Sequence, residues 1–324
     1  MRWTPLWALM WVVGCGPASE DSTREPLAGQ LLHGPVVKVP CTSPAPLPLA
    51  QPQILARFAG TAEELVLDGK HAFLAVSKGP RTGAIARVGL VDGAVEWLAE
   101  GSLLTGLTID ATRLYWTEGD TVRSVDKDGG EPRTLAEGQS YAAGITCLAG
   151  TLFWANTGAL NGSVMRLSDD AGTGPAAVAQ GEFRPFHLAG DEAYVYWTSY
   201  GTFQLWRAPH QGGEATHLAP GASVPGGLVL DPAAIFWAAD DRVFSLPKKG
   251  GELVELAASQ RRPRGLALDE CHLYWAAGDQ VVRVNKRGGP GEVVAFGQAA
   301  PAVVKVDLDY IYWTVDGALL RRAR

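Results

Sequence analysis

The stretch "LYWTEGDTVRSVDKDGGEPRTLAEG", Leu114 to Gly138, decides the fold because the chain writes it twice. "LYWAAGDQVVRVNKRGGPGEVVAFG", Leu273 to Gly297, follows it almost position for position. Both carry an aromatic pair, a polar gap, an apolar strand with an arginine, a double glycine and an apolar residue followed by alanine. Further copies of the pair stand at Phe153-Trp154, Tyr196-Trp197, Phe236-Trp237 and Tyr312-Trp313, with a degenerate first copy at Phe73-Leu74. Taken at the second residue of each pair, the seven anchors lie 42, 38, 43, 40, 38 and 38 residues apart. Six residues before the anchor stands an aspartate in six copies, Asp68, Asp110, Asp191, Asp231, Asp269 and Asp307, while the third copy has Leu148.

Each copy reads as four short strands, an apolar alternation first and the aromatic pair on the second. Double glycines at 129-130, 212-213, 250-251 and 288-289 fall between the third and fourth, where hairpin turns need positive φ. No copy has room for a crossover helix, so neighbouring strands are antiparallel. A four-stranded antiparallel unit recurring about every forty residues is the signature of a β-propeller. The fourth-strand pair begins at Leu98, Leu135, Val178, Leu218, Leu256 and Val294, but the last copy runs to Arg324 without one. A spare copy, "QILARFAG" at Gln53 to Gly60, precedes the first unit. The arithmetic predicts an all-β, seven-bladed propeller over residues 53–324, closed by this N-terminal strand; six blades is the alternative if the first copy is set aside. In such a ring the tryptophans wedge between sheets, the aspartates cap turns as Asx residues do, and the recurring Arg87, Arg166, Arg207, Arg283 and Arg321 belong to the scaffold.

Ahead of the repeats, "MRWTPLWALMWVVGC" has one basic residue, Arg2, and an apolar run too short for a bilayer span. Its end, Val12-Val13-Gly14-Cys15, resembles the lipobox of bacterial lipoproteins, and the resemblance implies residues 1–15 as a signal segment with Cys15 acylated. An ordinary secretory signal with a chance cysteine is the other reading, and both take the chain out of the cytoplasm. Residues 16–52 hold eight of the 21 prolines and little hydrophobic periodicity, which reads as a disordered tether. Cys41, Cys147 and Cys271 make an odd set, so one internal pair at most forms and one thiol stays free; a Cys41–Cys271 clip is one option. The expected location is the cell envelope, lipid-anchored outside the cytoplasm, on the outer membrane if the cell is Gram-negative.

The repeat "LYWTE…VRSVDKDGGEPRTL" also resembles the YWTD repeat of low-density-lipoprotein-receptor class B propellers. The likeness covers Gln53 to Arg324 and is best in the second, sixth and seventh copies. It departs in that the acidic fourth position survives only as Glu118, and in that the family usually has six blades. The resemblance implies an extracytoplasmic propeller that commonly binds proteins; the matching positions are scaffold positions and bring no ligand with them.

Function in a repeat shows as departure from it. Ten residues before the anchor, at the start of the innermost strand, four copies have glycine, Gly106, Gly144, Gly227 and Gly265, whereas the others have Glu64, His187 and Val303. Glu64 and His187 are therefore expected near the mouth of the central channel. The longest second-to-third-strand loops open on the same face, so Lys78, Asn156, Asn161, Arg184, Phe186, Tyr200 and Phe203 join them as candidates. Two functions compete for this face. One is a non-enzymatic binding or scaffolding role toward a protein or an envelope polymer, by a monomer with no cofactor. The other is a metal-dependent enzyme of the lactonase or lyase kind, with Glu64, His187 and Asn156 as ligands. The net charge of -6 argues against a nucleic-acid partner. No GxSxG, P-loop, CxxC or HExxH motif is present, and no catalytic set or metal site is assigned. The "KRGG" and "QRRPRG" charges read as solvated turns.

Overall fold

The computed structural model describes residues 51–158, 161–168, 174–220 and 225–324. Cys15, Cys41 and the proline-rich segment as far as residue 50 lie outside them. Every regular element among the described residues is a β-strand, and consecutive strands within a sheet pair antiparallel. The second repeat shows the common plan: Leu104–Ile109, Arg113–Glu118, Thr121–Asp126 and Arg133–Ala136 follow one another across one sheet. The alternation of a pleated strand puts Leu114 and Trp116 into the space between sheets, both fully buried. The equivalent indoles recur, and several find their partner at one fixed distance along the chain. Trp154, Trp275 and Trp313 donate through Nε1 to Gln139, Gln260 and Gln298, each fifteen residues earlier, at 3.0, 3.1 and 3.0 Å. A large apolar ring with one satisfied polar edge is what an inter-sheet wedge requires.

Among the described residues the sheets number six, the alternative to the seven blades expected, and the strand Gln53–Leu67 is the reason. Five sheets are four-stranded, and the sixth holds the first and seventh repeats together. Residues Gln53, Ile54, Ala56 and Arg57 pair with Arg321, Leu320, Leu319 and Ala318, whereas Thr61 to Leu67 pair with Ser77 to Ala72. One continuous strand is thus the outer strand of the last repeat and the inner strand of the first. The segment Tyr310–Ala323 doubles back at Gly317, whose φ is 68°. The Arg324 N–H accordingly donates to Asp309 O at 3.0 Å, as the Lys127 N–H does to Thr112 O at 2.8 Å in the second repeat. The expected N-terminal closure is present.

The polar positions that recur from repeat to repeat turn out to be joinery. Oδ1 of each repeat aspartate accepts the N–H groups two and three residues on, as at Asp191 from Ala193 and Tyr194 at 3.1 and 3.0 Å. Oδ2 then accepts the hydroxyl of the anchor tyrosine, Tyr115, Tyr196, Tyr274 or Tyr312, at 2.6–2.9 Å. Copies one and five have phenylalanine there, and a lysine from the next repeat serves instead: Lys127 on Asp68 at 3.2 Å and Lys286 on Asp231 at 2.8 Å. Copy three has neither partner, and its Leu148 packs in one buried cluster with Phe153. The turn lysines, Lys286 of "KRGG" among them, are therefore latches between repeats and not merely solvated. The arginines act likewise: Arg87, Arg166 and Arg207 donate to the carbonyls of Lys127, His210 and Lys248 in the following repeat, at 2.9, 3.3 and 3.4 Å. Arg321 donates to Leu90 O, carrying the series across the closure, and Arg283 stays in its own sheet on Glu292.

These latches predict acid lability. Burial alone would raise the carboxyls of Asp68, Asp191, Asp231 and Asp269, but the N–H, hydroxyl and cationic partners outweigh it and hold each below the ordinary 3.8. The unfolded chain then binds more protons, so this stabilisation is full above the ordinary value and is lost as pH falls through the depressed one. We expect Tm to fall steeply below about pH 4. Asp231→Asn should remove part of that slope, which calorimetry across pH would measure.

Cys147 and Cys271 are both disulfide-bonded, and no free cysteine stands among the described residues. Neither is the lone free thiol that the odd count suggests.

Candidate functional site

The inner strands surround a cavity of about 1530 Å³. All seven residues at the tenth position before the anchor line it: Glu64, Gly106, Gly144, His187, Gly227, Gly265 and Val303. The glycines have a packing reason. At Gly144 (φ 27°) a β-carbon would lie against the carbonyl oxygen of Phe186, and at Gly265 (φ 61°) it would meet Val303 Cα at 2.6 Å. Adjacent inner strands approach that closely only without a side chain. Where the approach relaxes, Glu64 and His187 project into the cavity wall.

Glu64 has a cation beside it across the closure. Its neighbour is Lys305, on the inner strand Val304–Val306 of the last repeat, which the closure brings beside the first. Burial pushes the Glu64 carboxyl up to about 7, with the Lys305 charge opposing the rise and Glu63 adding to it. Burial lowers Lys305 from its ordinary value, against the pull of Glu64. Because the folded Glu64 holds its proton to higher pH than the unfolded chain, this stability is present below the ordinary 4.5 and is lost as pH rises toward 7. Glu64→Gln escapes that loss. Its Tm should match wild type near pH 4.5 and exceed it at pH 8, a difference that paired thermal melts would reveal.

Across the ring the fourth repeat contributes aromatic rings. Phe186 stands edge-on to His187 and to Tyr200, both with ring centroids 4.9 Å away, and all three line the cavity. Burial raises the Tyr200 phenol, and the nearby Arg184 charge opposes that rise. The structure thus brings Glu64, Phe186, His187 and Tyr200 together around one space.

The other candidates lie elsewhere. Lys78 alternates away from the cavity-lining Ser77 and Gly79, with its ammonium 3.6 Å from the centre of the Trp97 ring on the outer strand. Asn156 is buried inside its own sheet, donating to Gln139 Oε1 at 3.0 Å and Ser163 Oγ at 3.2 Å. Asn161 is exposed and Phe203 is 42 % exposed, both outside the cavity lining. Arg184 adopts φ 52°, and its carbonyl accepts the Tyr200 N–H at 3.0 Å. Asn156 is turned into its own sheet and stands apart from Glu64 and His187, so the three do not share one space, and among the described residues no three His, Cys, Asp or Glu side chains gather.

Lys305 is the residue that the sequence reading missed. Side chains on one face of a strand recur every second residue, so the eighth position before the anchor faces the channel as the tenth does. The residues there include Val66, Thr108, Thr146 and Val229 in other repeats, all lining the cavity, and lysine only in the last. The rim also carries residues outside the original set. Leu103, Tyr141 and Phe183 are 47, 70 and 43 % exposed. Their carbonyls accept N–H groups from Gly119, Thr157 and Gly201, in or beside the second-to-third-strand hairpins, which fixes all three on the same face as Phe203.

No protein-family model matches the chain, and no curated protein matches it in sequence. Solved structures do. The crystal structure of the nidogen/laminin complex contains a chain 20 % identical, with TM-score 0.54, covering 71 % of this chain and 99 % of that one. The computationally designed Ika8 protein is 13 % identical with TM-score 0.63, over 84 % of this chain and 100 % of its own. BamB from Moraxella catarrhalis is 17 % identical with TM-score 0.54, over 83 % and 82 %. At these identities the likeness is one of fold, and the chain is a β-propeller repeat protein.

Proposed function

We propose that this protein is a non-enzymatic binding module of the cell envelope, held to a membrane through acylated Cys15 and the proline-rich tether, and that it engages a protein partner with the channel-mouth face. The observation that carries the reading is the apolar arc over repeats two to four. Leu103, Tyr141, Phe183 and Phe203 are all more than two-fifths exposed on one face. Large apolar side chains grouped in this way on a soluble surface mark interaction sites, and aromatic anchors dominate binding energy at protein interfaces. The nidogen/laminin match, itself a complex of two proteins, supports the same direction. An envelope polymer remains the second ligand class for the same face.

The test is affinity capture from envelope extract with the full chain, its Tyr141→Ala/Phe203→Ala double variant, and a control at Leu308, which is 64 % exposed in an Asx turn at the opposite end of the channel. A specific partner should be recovered equally by wild type and Leu308→Ala, and at least about tenfold less by the double variant. Equal recovery by all three would overturn the assignment of the face.

A further inference from the structure

We infer that the channel holds a binding site for a small zwitterion, of the α-amino-acid class, whose ammonium group meets Glu64 and whose carboxylate meets Lys305. The inference goes beyond the binding reading of the outer rim and does not depend on it.

Its basis is a contrast in how the fold treats its cations. Lys127, Lys248 and Lys286 are each closed onto a repeat aspartate at 3.2, 2.9 and 2.8 Å. Lys305 is not closed onto anything. It and Glu64 line the same cavity from neighbouring inner strands, yet neither side chain makes a hydrogen bond or an ion pair among the described residues. Opposite charges half-buried on one cavity wall but out of contact are an uneconomical arrangement, because each loses part of its solvation without gaining its partner. A molecule carrying both complementary charges satisfies the two at once and adds no net charge.

The wall favours that class as well. Four carboxylates and four lysine or arginine cations line the cavity, so their formal charges cancel and a singly charged ligand gains no overall preference. Phe186 and Tyr200, from the repeat opposite, supply an aromatic surface for an apolar side chain. The site therefore asks for an ammonium and a carboxylate close together with an apolar group beyond them.

Calorimetric titration of the full chain tests this with three probes: L-phenylalanine, N-acetyl-L-phenylalanine and L-phenylalaninamide. Phenylalanine should bind at least about tenfold more tightly than either singly charged analogue, the expected worth of one charge-assisted contact. Glu64→Gln should erase the preference over the N-acetyl compound and keep the preference over the amide. Lys305→Met should do the reverse. That crossed pattern is one a merely structural pair would not give. If phenylalanine shows no saturable binding up to about 10 mM, or the three probes bind alike, the pair is bridged by water and the inference fails. Should either variant unfold, the wild-type ranking alone decides. Capture through Tyr141 and Phe203 is scored separately, so the two readings fail independently.

Discussion

Removal of Gln53 to Gly60 should lower Tm by about 10 °C or more and make the propeller prone to aggregation. The segment contributes the outer strand of the last repeat, pairing with Arg321 to Ala318. Ala56 is buried in the first core cluster, and Leu55 and Phe58 pack against it. Losing three apolar side chains and one flank of backbone pairing costs about 5 kcal/mol. The larger consequence is the open edge left on Tyr310–Ala323, an unpaired row of backbone donors and acceptors with apolar Leu319 and Leu320 beside it. Thermal unfolding followed by circular dichroism is the measurement; a midpoint within about 3 °C of wild type would show that the ring does not need its closure.

Trp313→Ala should cost about 3–5 kcal/mol, the range for emptying a buried aromatic site. Trp313 is fully buried and shares a cluster with Tyr274, Val281 and Val294 of the preceding repeat, so its loss opens the space between two sheets. It also leaves Gln298 Oε1 without the indole donor it holds at 3.0 Å. The wedges are not equivalent in their polar edge. Trp237 Nε1 is buried without a hydrogen-bond partner, whereas Trp275 Nε1 donates to Gln260 at 3.1 Å. Replacement by phenylalanine should therefore cost about 1 kcal/mol more at Trp275 than at Trp237. Urea denaturation of the two variants against wild type would rank them, and equal losses would mean that these indoles act by volume alone.

The architecture was legible because a propeller repeats its packing problem. Each inter-sheet space needs the same ring at the same place, so the anchors recur and can be aligned without any structural knowledge. The sheet count was less legible. Whether two repeats join through one strand depends on how the chain passes Gly60 between Arg57 and Thr61, where the register shifts, and no residue pattern states that in advance. The joinery was half visible. The aspartates could be read as turn caps, but the lysines that close on them come from the next repeat, 59 residues on for Asp68 and 55 for Asp231. A pattern confined to one repeat cannot reveal such a partner. At the channel, departure from glycine at the tenth position pointed to Glu64 and His187, both of which line the cavity. The same logic applied two residues later would have found Lys305. Asn156 misled because the end of a strand looks solvent-facing in sequence, while its amide turns into the sheet to meet Gln139.

The pairing of Gln53 with Arg321 sets the two ends of the propeller side by side. Partners across an antiparallel ladder stand only about 5 Å apart at Cα, so a short glycine linker from Arg324 to Gln53 would make the backbone circular without deforming it. New termini cut at the exposed Gly130 turn would then give a permuted chain with every sheet intact. Topologically the molecule is a bracelet with a clasp, and the clasp can be moved.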